Sequence, residues 1–143
     1  MEKVKILWID DNINNTKLRP YIDELKENDF EIIPAENPDE SDRILAERQD
    51  FRCIIVDLIM PRGSDEAKYG LNTGLIVLKK LVDNEKLANV KKVVFTIRKD
   101  NDAKEVIDYC EENKNNNVYF LKKDDYYPDS FVEKIKLIID INQ

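Results

Sequence analysis

The stretch FRCIIVDLIM, Phe51 to Met60, is the most apolar in the chain, and it holds an aspartate, Asp57, near its carboxyl end. A short run rich in isoleucine, valine and phenylalanine favours a strand over a helix. It falls well short of the ~20 apolar residues that span a bilayer. A charge inside such a strand is expensive to bury unless something partners it.

Further apolar runs lie on both sides: VKILWI from Val4 to Ile9, ending at Asp10-Asp11; Phe30 to Pro34; VKKVVFTI from Val90 to Ile97; and VYFL from Val118 to Leu121. Helical patterns separate them. Thr16 to Glu27 sets Leu18, Tyr21, Ile22 and Leu25 on one face, with Pro20 in its first turns predicting a late start or a bend. Asn37-Pro38-Asp39-Glu40 reads as an N-cap, a proline at the first helical position and an acid at the third, heading a weak helix with Ile44 and Leu45. Asn72 or Thr73 caps a helix carrying Leu75, Leu78, Leu81 and Val82. Asp100 to Asn113 aligns Ala103, Val106, Ile107 and Cys110, and Asp129 to Ile141 aligns Phe131, Ile135 and Ile138.

Repeated strand-then-helix units predict an α/β fold. The compact solution is a flavodoxin-like, doubly wound five-stranded parallel sheet of order 2-1-3-4-5, with helices on both faces. Residues 1–143 read as a single domain. One connection is irregular: PRGSDEAKYGLN, Pro61 to Asn72, is long for a link that usually takes about two to six residues. A flap, a partner-specific loop and a neutral insertion all fit it.

Acids number 30 against 23 basic residues in 143, a formal net charge of -7, which disfavours a nucleic-acid footprint. With no bilayer-length run and no signal-peptide pattern at the start, the expected location is the cytoplasm. Cys53 and Cys110 sit in apolar segments without metal-ligand spacing and read as buried free thiols. There is no histidine. That excludes histidine triads, histidine-metal sites and a phosphohistidine carried by this chain, though not one on a partner.

In doubly wound sheets, ligands lie outside the carboxyl ends of the strands. Asp10 and Asp11 follow the first strand and Asp57 ends the third, and these strands are neighbours in the expected order. Thr96 ends the fourth strand, and a lysine of the Lys122-Lys123 pair ends the fifth. Taken singly, an Asp-Asp after a strand is ordinarily a helix cap, a strand-end threonine is structural and a lysine pair is solvated. Converging carboxylates repel, however, and an all-oxygen donor set points to Mg2+. With the charge neutralised, one carboxylate can attack phosphorus to give an acyl phosphate, while a hydroxyl and an ammonium hold the phosphoryl oxygens.

The pieces VKILWIDD, IIVDLIMP, Thr73-Gly74, VVFT and FLKKD, in this order, resemble a response-regulator receiver (CheY-like) domain over almost the whole chain. The resemblance implies a stand-alone receiver without an output domain, in which Asp57 accepts a phosphoryl group from a phosphohistidine on a sensor histidine kinase or phosphotransfer protein. It implies that Asp10, Asp11, Asp57 and the backbone carbonyl of Ile59 hold Mg2+, with Asp11 the more direct ligand of the acidic pair. Thr96 matches the switch hydroxyl. Lys123 is favoured as the site lysine, with Phe120 as the switch aromatic; Lys122 would put Tyr119 there instead. The switch is expected to act on a downstream protein, the chain itself being a monomer or weak homodimer that does not turn over external substrates.

Several features depart from the family pattern. Lys123-Asp124 stands where Lys-Pro is usual, so no cis peptide is expected there. Gly74 falls later after Asp57 than the corresponding family glycine, and bulky Ile97, followed by Arg98, takes a position where a small residue is common. The rival reading is a receiver-like interaction module that signals without phosphorylation. A Mg2+-dependent phosphatase is disfavoured because Ile59, not an acid, lies two residues beyond Asp57. A flavin protein is disfavoured because Asn12 to Thr16 is a poor phosphate cradle.

Overall fold

The computed structural model describes residues 3–10, 13, 16–57, 73–96 and 100–140, with backbone only at 73 and 100–103. Its strands are β1 (Val4–Ile9), β2 (Phe30–Ala35), β3 (Cys53–Val56), β4 (Lys91–Thr96) and β5 (Val118–Lys122). They form one five-stranded sheet of order β2-β1-β3-β4-β5, parallel at every pairing. The helices are α1 (Arg19–Glu27), α2 (Pro38–Glu47), α3 (Thr73–Asp83), α4 (Asp100–Glu112) and α5 (Pro128–Asp140). This is the flavodoxin-like topology expected from the strand-helix repeat.

Alternate residues of the strands feed opposite faces. Ile6, Trp8, Cys53, Ile55, Val93, Phe95 and Leu121 pack against Leu25 of α1 and Phe131, Ile135 and Ile138 of α5. Leu7, Ile9, Ile54 and Val56 meet Leu45 of α2 and Val77 and Leu81 of α3. Val94 and Val118 meet Leu75 and Leu78 of α3 and Val106 and Cys110 of α4. Both cysteines are buried and free. Burial pushes each thiol up to about 12, so both act as inert core groups.

Several element ends differ from the sequence expectation. The first helix begins at Arg19, not Thr16, because Pro20 lacks an N–H and fits only the first turn. Asn37 caps α2 as expected, accepting the Glu40 N–H at 2.8 Å. Phe51 and Arg52 precede β3, β4 runs from Lys91 to Thr96, and α4 stops at Glu112, one residue before Asn113. The expected strand residues Leu58 to Met60, the Pro61–Asn72 connection, Ile97 with Arg98, and Ile141 lie outside the described residues. No helix among the described residues is long and apolar enough to cross a membrane.

Candidate functional site

Parallel register brings the carboxyl ends of the central strands level. Ile9 pairs with Val56, and the next residue on each strand is an aspartate. Asp10 and Asp57 therefore stand side by side on adjacent strands. The Asp10 N–H donates to the Ala35 carbonyl at 2.9 Å, and the Asp57 N–H donates to the Ile9 carbonyl at 3.0 Å. Asp57 follows the last β3 residue instead of lying within the strand, yet that hydrogen bond fixes its backbone to β1. The two residues are 0% and 3% exposed.

Two carboxylates packed this closely in a poorly solvated site repel. The Lys123 amine lies 3.4 Å from Asp10 Oδ2 and 3.8 Å from Asp57 Oδ2. The second distance is an ion pair without a well-formed hydrogen bond. The same amine sits 5.7 Å from the centre of the Phe95 ring, within cation–π range. Lys122, the alternative site lysine, is the last residue of β5 and pairs with Thr96. Thr96 is fully buried at the same sheet edge.

Phe120 packs toward the α3 and α4 cluster of Leu75, Leu78, Val94 and Val106, whereas Tyr119 faces the α1 and α5 side. Asp11 and Ile59, the remaining expected metal ligands, lie outside the described residues. Among the described residues no three acids, cysteines or histidines gather as a metal cluster. Asp10 and Asp57 nonetheless fit a hard cation. Their donors are all oxygen, and Asp57 Oδ1 is buried as well.

Sequence reasoning missed the residues that hold Lys123. Phe95 lies under its amine and stacks on Phe131 at 4.2 Å between ring centres. Tyr21 and Tyr126 complete the aromatic group. The legible signal was Phe95 beside Thr96; the part played by Tyr21 depends on contacts that no local pattern carries.

No family profile and no curated protein matches the chain. Solved structures do. A response regulator from Desulfuromonas acetoxidans superimposes with a TM-score of 0.69 at 17% identity, covering 98% of this chain and 99% of its own. The chemotaxis response regulator CheY4 of Vibrio cholerae gives 0.67 at 18% identity, over 95% and 98%. The response regulator TrrA from Thermotoga maritima, solved in complex with Mg2+-BeF, gives 0.64 at 24% identity, over 94% and 98%. The chain has the fold of a response-regulator receiver domain.

Proposed function

We propose that this chain is a phosphoacceptor response regulator, taking a phosphoryl group onto Asp57 from a phosphohistidine on a sensor histidine kinase or phosphotransfer protein. The observation that carries the reading is a buried pair of carboxylates, Asp10 and Asp57, facing one amine, Lys123, at the carboxyl edge of the sheet. Support comes also from the shared fold with TrrA, which was solved with Mg2+-BeF.

In the proposed step an Asp57 carboxylate oxygen attacks phosphorus in line. The P–N bond to the partner imidazole breaks and its electron pair leaves on nitrogen. Lys123 is near enough to Asp57 to meet the charge on the phosphoryl oxygens, and the Thr96 hydroxyl is suited to donate to one of them. Asp10, Asp11, Asp57 and the Ile59 carbonyl would hold Mg2+, which would supply neutralisation of those oxygens when bound.

The aspartyl phosphate adds charge at the sheet edge, draws in Thr96 and shifts Phe120, changing the surface offered to a downstream protein. Hydrolysis resets it. The chain modifies only itself and turns over no external substrate. It works in the cytoplasm, as a monomer or weak homodimer, with the single domain spanning residues 1–143.

The test is intact mass after incubation with Mg2+ and acetyl phosphate or phosphoramidate, and with a phosphorylated histidine phosphotransfer protein. Wild type should gain one phosphoryl group and Asp57→Asn none. An unmodified wild type under all three donors would leave the non-phosphorylated interaction module as the better account.

A further inference from the structure

Lys123 opens a short 3-10 turn, Lys123–Asp125, just beyond the last ladder residue of β5. Its backbone lies beyond the ladder, and its amine sits near two acids. One support of the turn comes from a distant part of the chain. The Tyr126 N–H donates back to the Lys123 carbonyl at 3.2 Å, closing the turn. The Tyr126 carbonyl in turn accepts the hydroxyl of Tyr21, on α1, at 2.8 Å.

Tyr21 touches the amine's other support as well. Its ring meets Phe95 edge-on, with centres 5.4 Å apart and planes at 69°, and Phe131 at 5.6 Å and 85°. Phe95 is the ring beneath the Lys123 amine. One side chain on α1 thus braces both the backbone exit of the turn and the surface on which its amine rests. Burial and the nearby Asp124 carboxylate raise the Tyr21 hydroxyl above its ordinary range, which keeps it a donor.

We propose that Tyr21 is a positioning residue whose hydroxyl latches the Lys123 turn and keeps the amine between Asp10 and Asp57. Were Tyr21 only a core aromatic, phenylalanine would serve equally, because every ring contact survives that change. The inference rests on the phosphoacceptor reading for its kinetic consequence alone; the placement of the amine is measurable without it.

The experiment compares wild type, Tyr21→Phe and Ile135→Val, a control that loosens the same core without touching the hydroxyl. NMR of 15N,13C-labelled lysine reads the Lys123 side chain, with Asp10→Asn marking the shift that reports its ion pair. Tyr21→Phe should move the Lys123 signal to the position of the exposed lysines, while Ile135→Val leaves it in place. At saturating Mg2+ the rate of phosphoryl uptake from acetyl phosphate should fall about tenfold in Tyr21→Phe, the effect of a sub-ångström to ångström misplacement. A wild-type Lys123 signal in Tyr21→Phe overturns the latch, and so does an equal shift in Ile135→Val. If wild type takes up no phosphoryl group, the proposed function falls, and the lysine signal still decides the latch.

Discussion

Asp10 and Asp57 share one amine, and the distances of 3.4 and 3.8 Å leave Lys123 bound tightly to neither. An ammonium so placed can shift toward new negative charge at little cost, which suits transfer chemistry better than a rigid bidentate pair does. Lys123→Met should therefore slow phosphoryl uptake from a small donor about 100-fold, the usual order for removing one electrostatic contact to developing charge. Lys122→Met, at the paired end of β5, should stay within about twofold of wild type. Single-turnover uptake followed by intact mass separates the two, and equal losses would refute the assignment. Asp57 was legible in the sequence because a charge inside FRCIIVDLIM demands a partner. The strand pattern narrowed the lysine only to the Lys122-Lys123 pair, and the family resemblance favoured Lys123, since adjacent strand residues face opposite sides and the pattern does not show that β5 ends between the two.

At the scale of the element, β4 carries the least expected feature of the fold. Its apolar content marked it as a strand, but Lys91 and Lys92 at its start are also buried, at 6% and 1% exposure. The Lys91 amine donates to Asn117 Oδ1 at 2.7 Å, and the Asn117 amide donates to the Ala88 carbonyl at 2.9 Å. Asn117 adopts a left-handed φ of 66°, which asparagine tolerates better than most residues, immediately before β5. The Lys92 amine donates to the Leu87 carbonyl at 2.6 Å. No local pattern announces such carbonyl partners, because they belong to turns that tertiary packing brings under the strand.

Burial, with Lys91 adding repulsion, pulls the Lys92 amine down from 10.5 to about 8. The folded state thus holds this proton less well than the unfolded chain does. The group's contribution to stability rises with pH between about 8 and 10.5 and is a constant penalty below that window. Lys92→Met should stabilise the protein near neutral pH by about 1–3 kcal/mol, the pKa penalty less the lost bond to Leu87. That advantage should shrink as pH climbs through the window. Urea denaturation of both proteins across the range measures it, and a difference independent of pH would show that the amine is not titrating there.

Over the whole molecule, the sheet order and the alternation of faces were readable because five apolar strand runs separated by amphipathic segments leave few compact solutions. The coupling of the α1 and α5 face to the sheet edge was not, since it runs through rings distant in sequence. Trp8, the only tryptophan, is fully buried with its ring centre 6.0 Å from Phe95 and 5.8 Å from Phe131. Its fluorescence therefore reports global unfolding from within the layer that supports Lys123. If the paired acids take a divalent cation only when the strands are assembled, Mg2+ must stabilise the fold by mass action. At ten times its dissociation constant the gain should be about 1.4 kcal/mol. Asp10→Asn and Asp57→Asn should each lose most of that increment, because their carboxylates meet at one edge only in the native register. Unfolding curves followed at Trp8, with Mg2+ against EDTA, test the linkage directly. Coincident wild-type curves would remove the cation from the mechanism while leaving the topology intact, since none of the core contacts depends on it.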